Sequence, residues 1–209
     1  GYLGSYLKDH INFLDDIEDR KTFIHGFKII RNIINAQPMG FYSVSTLVYG
    51  AQREGVSIRP VDLCASGWDC HLEPEGASYA LRMGLRTIKG LGRYERAQIE
   101  AVGAPDDGES LALYTRRLRL SRKALEALAE AGAFDAFGAR RTVLWQLSDP
   151  GLSRHEPLVL SEPDEALCLP DLSAFERIAW DHRRSRHSTG GHPLALLRPY
   201  CDERGYTSA

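Results

Sequence analysis

The segment Lys89-Gly90-Leu91-Gly92-Arg93 constrains the fold of this 209-residue chain more than any other feature. An apolar turn with Leu85 and Ile88 precedes the segment, and an amphipathic run follows it. Two glycines allow a tight hairpin with exposed backbone N–H groups, because glycine adopts positive φ angles without steric cost. A new helix begins at the hairpin, so that its free N–H groups and its positive end point outward. The order of these residues predicts a helix-hairpin-helix element.

A hairpin of this kind provides a place for a phosphate group, because free N–H groups and a helix N-terminus both favour an anion. Lys89, Arg93 and Arg96 flank the two glycines and add positive charge. The pattern therefore favours binding to the backbone of a nucleic acid without regard to base sequence. Since the glycine pattern alone is short, an ordinary helix–helix turn is the alternative interpretation.

Basic residues are concentrated around the hairpin, although the whole chain has a formal net charge of −2. The stretch from Arg82 to Lys123 contains ten basic and five acidic residues. Such asymmetry indicates a basic face for an anionic partner, and the alternative is a solvated helix surface. The residues that we predict to contact DNA are Arg86, Lys89, Gly90, Leu91, Gly92, Arg93, Arg96, Arg116, Arg117, Arg119, Arg122 and Lys123.

Composition places the chain among soluble globular proteins, with 43% hydrophobic and 26% charged residues. We expect neither a signal peptide nor a membrane span, because no apolar run reaches about 18 residues. The chain does not begin with methionine, which suggests a piece of a longer protein. Four cysteines form no paired C-x-x-C motif, so we expect free thiols in a reducing cytosol rather than a zinc site. They are Cys64, Cys70, Cys168 and Cys201.

Two helices and two strands are predicted before the hairpin. Apolar residues recur at three- and four-residue steps over about 21–35, which is typical of an amphipathic helix. Ser45 is the predicted start of the next helix. Alternation over 56–61 predicts a short strand, and Pro60 restricts that strand to an edge or an end. A second short strand is predicted over 78–84.

A second hairpin is predicted where two further helices meet at Leu118-Arg119-Leu120-Ser121. We expect the first of these helices over 110–118 and the second from its cap Ser121 to its stop Gly132. This second element lacks the paired glycines, so it is a degenerate copy of the first.

The remainder of the chain is predicted to be helical with one long linker. A helix is expected over 139–147, and the proline-rich and acidic stretch 148–172 resembles a linker. Ser173 and Glu176 form a predicted capping box for a helix over about 174–184. A turn is expected at 190–193, before an apolar run.

Several motifs in the same order resemble one protein family, the error-prone branch of the bacterial C-family DNA polymerases. These are the damage-tolerant relatives of the polymerase III alpha subunit. The resemblance covers about residues 35–200. The motifs that carry it are Asn35-Ala36-Gln37-Pro38-Met39-Gly40-Phe41-Tyr42, Arg59-Pro60-Val61-Asp62, Trp68-Asp69-Cys70, Leu81-Arg82-Met83-Gly84-Leu85, Ile88-Lys89-Gly90-Leu91-Gly92, Ala124-Leu125-Glu126-Ala127-Leu128, Leu144-Trp145-Gln146 and Gly191-His192-Pro193-Leu194.

The resemblance implies a mostly α fold with a few short strands. Residues 1–76 would be an N-terminal segment and the end of the fingers region, and 77–138 a tandem helix-hairpin-helix DNA-binding domain. Residues 139–209 would be a helix, a linker and a capping-box helix that lead toward an OB fold outside the chain. Two departures from the family pattern are Gly67, where the family has an acid, and the poor match over 1–34.

The resemblance also implies a function. The chain would be part of an error-prone DNA-directed DNA polymerase that acts in translesion synthesis and DNA repair in the bacterial cytoplasm. It would bind primer–template DNA without catalytic residues of its own, because the palm aspartates that hold Mg²⁺ would lie outside it. A monovalent cation at the hairpin, translesion accessory proteins and the sliding clamp are further expected partners. A free-standing DNA-binding module and a protein-interaction scaffold are the alternatives.

Four further sets of residues have predicted environments. Trp68 is expected in the core rather than as a platform for a base. Arg59 lies either on a nucleotide-facing surface or in an internal salt bridge, and His192 is expected to be a structural turn residue. The carboxylates Asp15, Asp16 and Asp19 are expected on a solvated face rather than at a metal site.

Overall fold

The computed structural model describes residues 20–37, 42–76, 78–148 and 169–206, and for 20–25 only the backbone. The described part is mostly helical with one small sheet, which confirms the predicted fold class. Residues 38–41 of the first family-like motif, the three aspartates and most of the predicted linker fall outside the described residues. The elements are α1 (Arg20–Asn35), α2 (Val44–Arg53), β1 (Ile58–Arg59), β2 (His71–Glu75), β3 (Ser78–Arg82), α3 (Arg93–Val102), α4 (Leu111–Leu118), α5 (Arg122–Glu130), α6 (Arg140–Leu147), α7 (Ala174–Ser185) and α8 (Pro193–Glu203), with 3₁₀ turns at Leu85–Thr87 and Asp135–Phe137.

The sheet has three strands in the order β1-β3-β2. β1 pairs parallel with β3, and β2 pairs antiparallel with β3. β1 is an edge strand that ends before Pro60, as the sequence predicted, but it is shorter than the expected 56–61. β2 was not predicted, because His71–Glu75 contains a proline and two glutamates. The edge position tolerates Pro74, since one side of an edge strand makes no ladder hydrogen bonds.

α1 packs against the sheet and against α2, and both helices bury apolar side chains in the common core. α1 buries Phe27, Ile30 and Ile34 at the predicted spacing. α2 begins at Ser43 rather than at the predicted Ser45, because the extended backbone of Ser43 lets its hydroxyl accept the Thr46 N–H at 3.1 Å. This hydrogen bond is the usual N-cap arrangement.

Around the first hairpin, the leading helix is reduced to the 3₁₀ turn Leu85–Thr87. β3 runs into this turn through Gly84, which packs against the backbone of 68–70. The turn, the hairpin and α3 follow each other directly, and α3 ends at Val102. A helix of full length has no room before the hairpin, because β3 ends at Arg82, only seven residues before Lys89.

The helices α4 and α5 both begin at serine caps, Ser121 as predicted and Ser110 at the predicted start of the helix over 110–118. The Ser121 hydroxyl accepts the Ala124 N–H at 3.2 Å, and Ser110 makes the same contact with Leu113 at 3.4 Å. Both helices contribute to the continuous core of the molecule. Its largest fully buried side chains here are Tyr114, Leu118, Leu128 and Phe134.

The helix α7 closes over α5 and α6. Its predicted capping box is confirmed, because the Ser173 N–H and hydroxyl both contact the Glu176 carboxylate at 2.9 Å. A buried ion pair joins Arg140 of α6 to Asp181 of α7 at 2.6 Å. Arg184 donates two hydrogen bonds to Glu130 of α5, at 2.6 and 3.0 Å. After the predicted turn at 190–193, the chain forms the additional helix α8.

Gly84 is expected to tolerate no side chain. A Cβ atom at this position would lie 2.4 Å from the backbone carbon of Asp69. Because backbone cannot rotate away as a side chain can, we expect Gly84→Ala to lower the free energy of unfolding by about 3 kcal/mol. Urea unfolding measures this change. Gly50→Ala is the control, since a Cβ there meets nothing within 4 Å and it lies within α2; equal losses at both positions would contradict the packing.

Two kinds of feature are absent from the described ranges. No helix there is long and apolar enough to cross a membrane. No group of three or more histidine, cysteine or acidic side chains there is placed to hold a metal ion. Cys64, Cys70 and Cys201 are free thiols, whereas Cys168 lies outside the description. Burial raises the pKa of the Cys70 thiol to about 11.

Candidate nucleic-acid interface

The first hairpin is held in place by the end of α7. The backbone N–H of Lys89 donates to the Arg184 carbonyl at 2.9 Å, and its Nζ donates to the Arg183 carbonyl at 3.2 Å. A cation is favoured there, because the carbonyl end of a helix is its negative end. Gly90 takes a φ of +98°, which explains the glycine. Leu91 packs partly buried against the core and anchors the tip.

The N-terminus of α3 lies at the end of this hairpin. Its first-turn N–H groups have no intrahelical acceptor, and the capping residue Gly92 has no side chain to satisfy them. They are therefore available to an anion. The Gly92 N–H itself donates to the Glu95 carboxylate at 2.8 Å. A negatively charged side chain thus lies at the position where a phosphate would bind.

The second hairpin repeats the first with different residues. Arg119 has a φ of +49° at the position of Gly90, and Ser121 caps α5 at the position of Gly92. The Tyr94 hydroxyl donates to the Arg119 carbonyl at 3.4 Å, which places the two hairpins side by side. Two helix N-termini, those of α3 and α5, therefore begin on adjacent hairpins.

Apart from Lys89, whose Nζ donates to the Arg183 carbonyl, three of the predicted DNA-contacting side chains carry charge that no described carboxylate neutralises. Arg93, Arg119 and Lys123 are exposed and form no ion pair with any residue that the structure describes. Arg93 is the first residue of α3, and Lys123 is the second residue of α5. Positive side chains thus accompany both helix N-termini.

Three more of the predicted side chains form exposed ion pairs. Such pairs contribute little to stability, about 0–1 kcal/mol, and their cations remain able to exchange partners. A phosphate can therefore compete with the carboxylates for them. The pairs are Arg86–Asp69 at 2.7 Å, Arg96–Glu100 at 2.8 Å and Arg122–Glu126 at 2.8 Å.

Arg117 is held within the protein. It donates to Asp106 at 2.6 Å and to Glu109 at 2.8 Å, and its guanidinium lies 5.9 Å from the ring centroid of Tyr114. The hydrogen bond to Glu109 and the negative charge of Glu109 raise the pKa of the Arg117 guanidinium. Arg117 fixes the 103–110 loop, so a DNA contact at this residue stays a prediction that its geometry does not favour. Its neighbour Arg116 is half-buried and also has partners in the protein.

Trp68 and Arg59 occupy structural positions. Trp68 packs partly buried against the core, with the Arg96 guanidinium 5.7 Å from its ring centroid. This placement confirms the core prediction and adds a cation–π contact. Arg59 forms an ion pair with Glu75 across the sheet, as the salt-bridge alternative predicts, and its side chain stays about half exposed.

Three histidines stabilise the segment from α7 to α8. The Tyr49 hydroxyl lies 2.7 Å from His182 Nε2, and His187 Nδ1 lies 2.8 Å from the Ser185 carbonyl. Burial lowers the pKa of both His182 and His187. His192 Nδ1 accepts the Leu194 N–H at 3.2 Å at the start of α8, which is the expected structural role.

Stability is expected to fall as the pH falls below about 6.5, the pKa of histidine in an unfolded chain. The folded protein keeps His187 neutral below this value, whereas the unfolded chain binds a proton, so acid favours unfolding. One such group changes the free energy of unfolding by up to about 1.4 kcal/mol per pH unit. We expect His187→Asn, which keeps a donor for the Ser185 carbonyl, to flatten this dependence between pH 6.5 and 5. Urea unfolding at several pH values measures this dependence. An equally steep change in the free energy of unfolding with pH in His187→Asn would contradict the role of His187.

Residues 55–144 match the family model for the helix-hairpin-helix motif, so this part of the chain is a helix-hairpin-helix region. It is 39% identical over 181 residues to the error-prone DNA polymerase of Alkalilimnicola ehrlichii, 37% over 183 residues to that of Bordetella parapertussis and 40% over 180 residues to that of Anaeromyxobacter dehalogenans. Over 80–85% of its length, the chain is therefore similar in sequence to error-prone DNA polymerases.

The matches cover 85%, 85% and 80% of this chain but only 18%, 17% and 16% of these relatives. The chain therefore spans about a sixth of the length of the polymerases that it matches. The part of this chain that resembles them includes the helix-hairpin-helix region 55–144.

Sequence reasoning missed Glu95 as part of the hairpin. The signal was present, because an acidic residue three positions after a helix cap is the second half of the capping-box pattern. The pattern was not recognised because glycine occupies the cap position, where the usual capping box has serine or threonine.

Proposed function

We propose that this chain is the DNA-gripping part of an error-prone DNA polymerase that acts in translesion synthesis and DNA repair. It binds the backbone of duplex or primer–template DNA without regard to base sequence. The observation that carries the proposal is the pair of adjacent hairpins, each followed by a helix N-terminus with exposed, unpaired basic side chains.

The chemistry of these groups fits phosphate rather than bases. Backbone N–H groups at a helix N-terminus bind a phosphate oxygen, and contacts to phosphates carry no sequence information. The primary contacts are the N–H groups at the start of α3 and the side chains Arg93, Arg119 and Lys123. Lys89, Arg86, Arg96 and Arg122 add charge around them. Hairpin carbonyls would also accommodate a monovalent cation.

We assign nucleotide transfer to other parts of such a polymerase, where carboxylates would hold Mg²⁺ for the reaction. The residues described here hold no suitable acidic cluster. Binding to a sliding clamp and to translesion accessory proteins in the bacterial cytoplasm belongs to the same proposal.

The test is binding of the full chain to two blunt duplexes of unrelated sequence, followed by fluorescence anisotropy. We expect equal affinities for the two duplexes, because the proposed contacts are all to phosphates. A strong preference for one sequence would contradict backbone binding. The absence of any binding would favour the protein-interaction scaffold.

The carboxylate at the first hairpin gives a second test of the same site. Glu95→Gln keeps an acceptor for the Gly92 N–H but removes a negative charge from the proposed phosphate position. We expect the affinity for duplex DNA to rise by about twofold to fivefold, a change of about 1 kcal/mol or less. Glu54→Gln, at the end of α2, is the control with the same change of charge, because Glu54 is exposed and forms no ion pair with the predicted DNA-contacting side chains. A lower affinity for Glu95→Gln than for the control would indicate that phosphate does not approach α3 there.

A further inference from the structure

A groove of about 640 Å³ lies between the first hairpin, the end of α1, the start of α2 and the end of α7. We refer to it as the hairpin groove. Its size falls within the range of about 300–1,000 Å³ for sites that bind small molecules. Lys89, Gly90 and Leu91 form part of its wall, so the groove begins where the proposed duplex contact ends.

The lining of the hairpin groove combines two chemistries. Tyr42 is partly buried and gives the groove an aromatic surface, while Ile34 and Ile88, almost completely buried in the core, form the apolar layer beneath it. Arg86 and Arg186 add positive charge at the same groove. An aromatic surface beside basic side chains suits an unpaired nucleotide, because the base stacks on the ring while its phosphate meets the cations.

Arg186 gives a second, independent indication. It has a φ of +61°, a conformation that costs a side chain of this kind free energy and that glycine adopts freely. Arg186 forms no ion pair with the described residues, so the protein gains no internal contact from its charge. Strain of this kind accumulates at ligand sites. Arg119, on the second hairpin, is the other non-glycine residue of the described part with a positive φ.

We propose that the hairpin groove binds an unpaired nucleotide of a DNA strand whose duplex part is held by the two hairpins. The base lies against Tyr42, and the phosphates contact Arg186, Arg86 and Lys89. This inference rests on the proposed duplex binding, but it adds a preference that hairpins alone do not give. DNA with a single-stranded overhang binds more tightly than a blunt duplex of the same sequence.

The test compares three fluorescent DNA probes with the full chain, namely a blunt duplex, the same duplex with a five-nucleotide overhang, and a single-stranded oligothymidine. We expect the overhang to raise the affinity about tenfold over the blunt duplex, because stacking of a single base on an aromatic ring supplies this much. A 2-aminopurine base placed at successive overhang positions should be quenched at the position that stacks on Tyr42.

Two variants distinguish binding in the hairpin groove from binding by the hairpins. Tyr42→Ala and Arg186→Gly should each reduce the preference for the overhang to about twofold and leave blunt-duplex affinity unchanged. Arg186→Gly relieves the backbone strain, so loss of folding does not confuse its result. Lys123→Gln, on the second hairpin, should instead weaken both probes equally.

The outcomes distinguish the inference from the proposed function. Blunt binding with no overhang preference, or a preference that both variants retain, would overturn the groove inference and leave duplex binding intact. If the blunt duplex did not bind, the proposed function would fail. Binding of the single-stranded probe would then test the groove inference by itself. Binding of that probe that weakens in Arg186→Gly would support the groove, and no binding would overturn it.

Discussion

Replacing Arg140 with methionine is expected to lower the free energy of unfolding by about 3–5 kcal/mol. Arg140 is only 6% exposed and pairs with Asp181 at 2.6 Å and with Asp135 at 3.2 Å. Methionine fills a similar volume but leaves Asp181 buried with Ser188 as its hydrogen-bond partner, at 2.6 Å. An uncompensated buried charge is the costly product of breaking such a pair from one side.

The Arg140 side chain also has little free space around it. A Cβ atom on Gly132, which ends α5 with a φ of +84°, would lie 2.2 Å from the Arg140 guanidinium. Arg140 therefore joins the second hairpin helix to α7, and α7 in turn holds Lys89 of the first hairpin. We expect Arg140→Met to weaken DNA binding as well, because the two hairpins lose a common support.

Urea unfolding followed by circular dichroism measures the stability change. Arg141→Met is the matched control, one residue further along α6, because Arg141 pairs with Glu176 at the surface. Exposed pairs contribute little, so we expect a loss below about 1 kcal/mol for the control. Equal losses for the two variants would show that the buried network does not hold α7.

The second large effect is expected from reversing charge at both helix N-termini. Arg93→Glu combined with Lys123→Glu should reduce the affinity for duplex DNA by about 100-fold, because two phosphate contacts become repulsive. A glutamate in the first turn of a helix is favourable, since it faces the positive end of the helix. The fold should therefore keep its stability while binding is lost.

The control for this pair is Lys28→Glu combined with Arg53→Glu, which changes the net charge by the same amount. Lys28 is exposed on α1, and Arg53 ends α2 about 15 Å from the end that borders the hairpin groove. We expect the control to bind duplex DNA within about threefold of the unchanged protein. A 100-fold loss in the control as well would mean that net charge, and not the hairpins, determines binding.

Local signals in the sequence were sufficient to predict the positions of most helices. The serine caps at Ser121 and Ser173 predicted the starts of two helices, because capping depends on residues within one turn. The apolar spacing over 21–35 predicted α1 for the same reason. Ser45 failed as a cap because Ser43 lies close by and competes for the same role.

Features that depend on distant contacts were not predictable in this way. β2 has poor strand residues and forms because β3 pairs with it. The contact between Lys89 and Arg183 joins residues 94 positions apart, and no local pattern indicates it. The reduction of the first hairpin helix to one 3₁₀ turn likewise follows from the packing of Gly84 on 68–70.

For the candidate site, the sequence located the basic region but not the state of each charge. Twelve residues were predicted from their positions around the two hairpins, yet ion pairing divides them into groups. Arg117 and Arg93 are equally basic in sequence, but acidic partners hold Arg117 within its loop while Arg93 stays exposed. Pairing depends on where the carboxylates of other segments lie, and this requires the structure.

The salt dependence of binding to a blunt duplex tests the central claim most directly. Each phosphate contact adds about −0.9 to the slope of log affinity against log salt concentration, so about five contacts predict a slope of about −4 to −5. Arg93→Glu combined with Lys123→Glu should make this slope shallower by about two, and the control pair should leave it unchanged. A slope near zero, or one that the hairpin variant does not alter, would contradict the account that the hairpins bind the DNA backbone.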